Sequence, residues 1–325
     1  MGRCIGQNPT GTFFFAGCTI CYPSKSCCWG PITIINISHY RSDAIIVQDV
    51  GDPVIVPLPE SLPTILAELS SQIATAVSQG KDSAGLILRV LRSLRDNIAF
   101  PVRTQLVALG VQDKSRSWWC PTFALCGLPL RAAGNYSPKV PKPNSIPDCY
   151  ISSYTPSLSA LITARCGLVL RTTNPDLLVI AQPDEILPMV NEEIGNIRRH
   201  LNYVDILTGR DANYDTVLSG LRTYSWVHFA CHGHLSDQPF HSSFQLHDNS
   251  RLELVKLIPA HWQCPDAELT FLSACHSAEG DVIGTPDGVV HLAAAMQFCG
   301  FRSVVWCYEG FLSAYFSYSR SCTEF

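Results

Sequence analysis

The chain has 325 residues, 46% hydrophobic and 15% charged, with 23 Lys and Arg against 27 Asp and Glu. That length holds one large domain or two small ones, and its apolar fraction excludes wholesale disorder. The formal net charge of −4, without any Lys/Arg block, argues against a nucleic-acid partner, and no apolar run reaches the ~18–20 residues of a membrane span.

Residues 1–29 stand apart as a Cys-rich leader, expected to be disordered, with Cys4, Cys18, Cys21, Cys27 and Cys28 and no periodicity. Cys18-x-x-Cys21 lies too close to Cys27 and Cys28 for an ordinary zinc finger, so no metal is expected there. The apolar run Phe13 to Cys21 lacks the basic flank and cleavage site of a secretory signal. Gly2 opens a myristoylation-like start, but Gly6 stands where Ser or Thr is needed. The chain carries 15 cysteines, an odd number. Those beyond the leader are scattered without framework spacing, which reads as small buried residues in a reducing, cytoplasmic compartment.

From Gly30 the pattern is regular. Ile32 to Ile37 and Asp43 to Gln48 are β-branched runs around a turn, which is strand chemistry. Leu62, Ile65, Leu66, Leu69, Ile73 and Val77 recur at helical spacing, as do apolar residues from Ala84 to Leu109, with an interruption near Pro101. Trp118 to Cys120 and Leu128 to Ala133 read as two further short strands, and a Pro-rich crossing leads to Tyr150–Tyr154.

The second half alternates. Leu177–Ala181, Val204–Leu207, Ser225–Ala230, Leu269–Ser273 and Ser303–Trp306 are expected strands. Ile186–Leu201, Tyr214–Leu221 and His291–Phe298 are expected helices. Phe244–Leu246 and Leu252–Leu257 should form a hairpin around Asn249-Ser250. Strands apolar on both faces, separated by helices, predict an α/β fold with a mostly parallel sheet flanked by helices. Leu177–Ala181, Ser225–Ala230, Leu269–Ser273 and Ser303–Trp306 are its expected central strands.

In such a sheet ligands bind beyond the carboxyl ends of the strands. Strand SWVHFA runs into Cys231-His232-Gly233-His234, and strand LTFLS runs into Ala274-Cys275-His276. The pattern pairs Cys275 as nucleophile with His232 as the base that takes its proton. The N–H groups of Gly233 and Cys275 would face an oxyanion. Cys231, adjacent to His232, points to the opposite face of an extended strand and reads as core. His228, His232 and His234 would share a face, but no H-E-x-x-H or C-x-x-C partner accompanies them, so neither metal nor cofactor is expected. Asp281 and Asp287 are the nearest carboxylates that could read a substrate side chain. Asp287 also sits where a helix N-cap belongs.

VHFACHGHL and ELTFLSACHSAEG resemble the two signature blocks of the CHAT domain, in a form similar to those of filamentous fungi. GPITIINISHYRSDAIIV, SWWCPTFALCGLPLRAAG, SSYTPSLSALITAR and PDGVVHLAAAMQFCGFRSVVW look like the same family in the same order, covering about Gly30 to Trp306. The resemblance implies a caspase-like three-layer sandwich over residues 30–306, with His232 as general base and Cys275 as nucleophile. It also implies a cysteine endopeptidase acting on a protein or peptide substrate under partner or oligomer control, with a repeat-containing protein as one candidate regulator. Departures are Phe123-Ala124 in place of a glycine turn, Arg131 in place of a common histidine, and Gly288 after Asp287 in place of an acidic pair. Residues 307–325 bear no likeness to the family's closing helix and read as an atypical tail, and no tetratricopeptide array precedes the domain. These departures keep a second reading open, a catalytically silent interaction module in a fungal immunity or cell-death pathway.

Overall fold

The computed structural model describes residues 30–79, 84–137, 139, 145–165, 176–182, 189–234, 236, 241–257, 267–273 and 288–306. The expectations for the leader 1–29, for Asp281 and Asp287, and for the tail 307–325 lie outside these residues. The chain divides into two compact units. The first comprises Met1–Pro63, Arg92–Thr122 and Leu130–Ile162; the second comprises Thr64–Leu91, Phe123–Pro129 and Thr163–Phe325.

The chain opens with β1 (Ile32–Asn36), β2 (Asp43–Val47) and β3 (Val54–Pro57). Helix α1 (Leu62–Ser78) buries Leu62, Leu66 and Leu69, and α2 (Ala84–Leu94) buries Ile87, Val90, Leu91 and Leu94. Both follow the three- and four-residue spacing of one helix face. The interruption expected near Pro101 takes the form of a π-helical turn, Arg95–Ala99, ahead of α3 (Phe100–Ala108). Proline has no N–H to return to the preceding turn, and the Phe100 N–H bonds the Arg95 carbonyl five residues back. Strand β4 (Arg116–Cys120), the short α4 (Ile146–Cys149), β5 (Ile151–Tyr154) and α5 (Leu158–Arg165) follow.

The first unit holds a five-stranded sheet in the order β3-β2-β1-β4-β5. Its β1–β2 and β2–β3 pairs are antiparallel, and its β1–β4 and β4–β5 pairs are parallel. Gly30 enters β1 at φ +75°, and a Cβ there would lie 1.8 Å from the Arg116 carbonyl oxygen, so only glycine fits the approach to β4. Leu128–Ala133 is not a strand. Residues Phe123–Gly127 and Leu130–Ala132 are 3-10 turns, because Pro129 removes a ladder donor in mid-run.

The second unit continues through β6 (Leu177–Ala181), α6 (Val190–His200), β7 (Val204–Thr208), α7 (Tyr214–Thr223) and β8 (Trp226–Ala230). Then come β9 (Gly233–His234), β10 (Ser243–Gln245), β11 (Arg251–Glu253), α8 (Leu254–Leu257), β12 (Leu269–Leu272), α9 (Gly288–Phe298) and β13 (Ser303–Trp306). The hairpin forms around Asp248 and Asn249, both left-handed at φ 54° and 57°, a conformation these side chains tolerate. Its second arm is shorter than expected: Leu254 and Leu257 turn into α8, where three-residue spacing buries both on one side.

The main sheet runs β13-β12-β8-β6-β7, and every pairing is parallel. All four strands expected at its centre belong to it, although Ser303–Trp306 is an edge strand among the described residues rather than a central one. Side chains alternate between the two faces. On one face Leu178, Ile180, Val227, Phe229 and Leu272 pack with Val217 and Leu221 of α7 and with Leu292, Ala295 and Met296 of α9. On the other, Leu177, Val179, Ala181 and Ala230 pack with Val190, Ile194 and Ile197 of α6. The second unit is therefore a three-layer α/β sandwich. Gly220 lets α7 close on β6, since a Cβ there would fall 2.4 Å from Leu178 Cδ2.

Candidate active site

Strands β8 and β12 are hydrogen-bonded parallel neighbours in the register Trp226↔Leu269 to Phe229↔Leu272. The ladder runs one step further, with the Ser273 N–H donating to the Phe229 carbonyl at 2.9 Å. Both strands are apolar runs, so their carboxyl ends emerge together at one rim of the sheet.

At that rim His232 is buried, with 4% of its surface exposed. Its carbonyl accepts the Gln245 N–H at 2.8 Å, which anchors the segment just past β8 to β10. That bond and the pairing Phe244↔Gly233 fix the character of the next residue. Gly233 belongs to a pair of the non-hydrogen-bonded kind, so its N–H turns away from β10. Strand β9 is the edge of its three-stranded sheet, and the outward N–H therefore faces no strand of that sheet. Cys275 lies outside the described residues, as does His276.

Cys231 is core, as its position in the alternation requires. It is fully buried among Phe229, Phe244 and Leu272 on the α7 and α9 face, and burial pushes its thiol up to about 12. A thiol so placed stays protonated and unreactive. Cys120, Cys126, Cys149, Cys231 and Cys299 are thiols outside any disulfide, and all but Cys126 are buried.

The histidines of this segment do not converge. His228 stacks on Phe271 with ring centroids 4.9 Å apart. His234 lies in β9, where burial first and then the Arg251 guanidinium hold its imidazole below the ordinary value against an opposing hydrogen bond with Gln245. Among the described residues no group of three or more His, Cys, Asp or Glu is arranged to hold a metal ion. No described helix is long and apolar enough to cross a membrane.

A polar cluster that the sequence does not announce sits on the α6 face of the same two strands. Nε2 of His228 lies 3.1 Å from Oε1 of Glu193. The Ser273 hydroxyl donates to the same Oε1 at 2.5 Å. Burial pushes the Glu193 carboxyl up. The hydrogen bonds from His228 and Ser273, with the His228 charge, outweigh burial and hold it below the ordinary value. Glu193 is in the first turn of α6 beside Glu192, where an acidic pair reads as a solvated face favoured by the helix dipole. The only sequence signal was indirect: a polar Ser273 at the end of an apolar strand and a polar His228 inside another.

A family model for the CHAT domain matches residues 88–309, well over half of the chain. The match takes in β8, β12 and the rim between them, while the similar-looking block at Gly30 to Val47 lies before its start. Among proteins of curated function none matches the chain. The extent of the family match, together with a second unit built as a parallel α/β sandwich, establishes that this chain belongs to the CHAT domain family.

Proposed function

We propose that the protein is a caspase-like cysteine endopeptidase, with Cys275 as nucleophile and His232 as general base. The observation that carries this reading is the register of β8 and β12. His232 follows Phe229 by three residues, Cys275 follows Leu272 by three, and Phe229 and Leu272 are paired. Two strands that end side by side support a thiol and an imidazole following them being brought to one rim.

The chemistry requires this proximity. A thiol with a pKa of about 8.5 is only slightly ionised at neutral pH, so it needs a neighbouring base. His232 takes the Cys275 proton as sulfur adds to the peptide carbonyl. The developing oxyanion is met by the outward Gly233 N–H, with the Cys275 N–H as second donor. The C–N bond then breaks, the imidazolium gives its proton to the departing amine, and a thioester remains. Water, deprotonated by the same imidazole, adds to the thioester and releases the carboxylate product and the thiol.

The substrate is a polypeptide, and control passes through a partner or oligomer, with a repeat-containing protein as one such partner. The described cysteines outside any disulfide favour a reducing, cytoplasmic setting. A silent interaction module is the alternative, favoured by Gly288 standing where an acidic residue is usual. A peptide library separates the two. Cleavage by the wild type should vanish in Cys275→Ala, fall nearly as far in His232→Ala, and survive in Cys231→Ala. Loss in Cys231→Ala with retention in Cys275→Ala would assign the wrong sulfur. No cleavage of any library member, with candidate activators present, would favour the module.

A further inference from the structure

The small sheet of β9, β10 and β11 has one apolar face and one polar face. Phe244 and Leu252, paired across β10 and β11, enter the core. The alternate positions His234, Ser243, Gln245, Arg251 and Glu253 share the opposite face. Ser243 pairs with His234 on one side and with Glu253 on the other, and Gln245 pairs with Arg251. The ladder bonds from the Leu246 N–H to the Ser250 carbonyl and from the Leu254 N–H to the Ser242 carbonyl make Ser243–Glu253 and Gln245–Arg251 pairs of the non-hydrogen-bonded kind, which brings side chains closest. Glu253 is met by His241 Nδ1 at 3.5 Å and by Lys256 Nζ at 3.9 Å, and Asp248 at the hairpin tip is met by His247 Nε2 at 3.1 Å. Arg251 has no such counterpart: among the described residues no acceptor engages its exposed guanidinium. Ser243 is fully buried, and its Oγ has no hydrogen-bond partner among them.

The half-buried His234 links these groups. Burial first, then the positive field of Arg251 and that of His232, hold its imidazole below the ordinary value. A hydrogen bond with Gln245 favours the protonated ring, as a bond to the amide oxygen does, while Gln245 Nε2 is turned to Asn249 Oδ1 at 3.1 Å. The ring is thus anchored through one nitrogen, and the other can donate once protonated. An unmatched guanidinium, an anchored imidazole and a buried hydroxyl form a donor set short of an acceptor. A tetrahedral oxyanion fits it: the guanidinium fork takes two oxygens, and the others remain for the imidazolium and the hydroxyl. A dianion also offsets the repulsion between Arg251 and a protonated His234. We propose that this face of the β9–β11 sheet binds a phosphate group, free or esterified, between Arg251 and His234, with the Ser243 hydroxyl at its floor. Binding is linked to proton uptake. The anion favours the imidazolium, so phosphate raises the His234 midpoint and binds more tightly as pH falls through it. The site lies wholly on β9, β10 and β11 and does not rest on the peptidase reading of the rim.

Proton uptake at His234 is the readout. The full chain is isotope-labelled in its histidines, and the His234 ring signal, assigned by its loss in His234→Gln, is followed by NMR against pH. Ionic strength is held constant with chloride, acetate or inorganic phosphate as the anion. In chloride the midpoint should lie below the ordinary imidazole value of 6.5. Phosphate should move it upward, and acetate should move it less. Arg251→Gln, at an exposed position, should raise the midpoint in chloride and weaken phosphate by at least about tenfold, as the loss of a charge-assisted bidentate pair implies. A midpoint that phosphate leaves in place, an equal response to acetate, or a phosphate response undiminished in Arg251→Gln would each overturn the proposal. The comparison of anions is made in the wild type, so it stands even where Arg251→Gln perturbs the sheet. N-acetylphosphoserine amide, titrated beside inorganic phosphate, separates the sources of the group. Tighter binding of the ester assigns the site to a phosphorylated side chain, and tighter binding of the inorganic ion assigns it to free phosphate.

Discussion

The two faces of the parallel sheet are built from the same strands and serve opposite ends. Along β8, Val227, Phe229 and Cys231 enter the face covered by α7 and α9, where the described packing is apolar but for the fully buried Thr270 beside Val227, and the Cys231 thiol stays protonated. Trp226, His228 and Ala230 face α6, and there the packing is interrupted near the carboxyl end by Glu193, His228 and Ser273. A period of two distributes stability and chemistry to separate sides of one strand. The dry face holds the sheet together, which allows the other face to keep a charge at its rim. Polar groups are costly to bury unless paired, and on the α6 face the Ser273 hydroxyl donates to Oε1 of Glu193 while the Trp226 indole N–H donates to Glu268.

The largest expected effect comes from breaking the dry face. Phe229 is fully buried and stacks on Phe244 at a centroid distance of 4.2 Å. Phe229→Ala should cost about 3–5 kcal/mol in denaturant unfolding, because the site is packed on all sides and collapses poorly. A loss below about 1 kcal/mol would show that this face is not the stabilising one.

The wet face should give a smaller and pH-dependent effect. Glu193 is held below its ordinary value of 4.5, so its ionised form is favoured by folding. A depressed carboxyl contributes stability that is present above 4.5 and is lost as pH falls through the folded value. Wild type should therefore lose more stability than Glu193→Gln as pH falls below that value. Near neutrality Glu193→Gln should cost about 1 kcal/mol, the worth of an ordinary hydrogen bond. Parallel acid unfolding curves for the two proteins would contradict this account of the cluster.

Much of the sandwich was legible because strands buried on both faces, such as Leu177–Ala181, leave a continuous apolar signal bounded by helices. Other segments carry weak sequence signals. The β3 edge strand Val54–Pro57 is half exposed, and β9 is only two residues long. Leu128–Ala133 had strand composition, but Pro129 broke it. Ser303–Trp306 carries the composition of a central strand but lies at the edge among the described residues, because strand composition does not report order within a sheet. His232 was legible as the residue beyond a strand end. Glu193 was not, since its role depends on the approach of α6 to Ser273, 80 residues along the chain. No local pattern encodes such a pairing.

The smallest effect is a silence. Cys231, with its thiol pushed up to about 12, should remain unlabelled by iodoacetamide in the native protein until unfolding exposes it, as mass spectrometry of the labelled chain would show. Labelling at neutral pH as fast as that of the exposed model thiol would move Cys231 out of the core.

The same reagent tests the central claim, that His232 activates Cys275 at the shared rim of β8 and β12. The rate of Cys275 carboxamidomethylation is followed against pH in the wild type and in His232→Ala, by mass spectrometry of the Cys275 peptide. Thiolate is the reactive form. An imidazole partner should give the wild type appreciable labelling well below the ordinary thiol pKa of about 8.5, while His232→Ala should shift the profile toward that value. Superimposable profiles in the two proteins would contradict the account, because Cys275 would then draw no activation from His232.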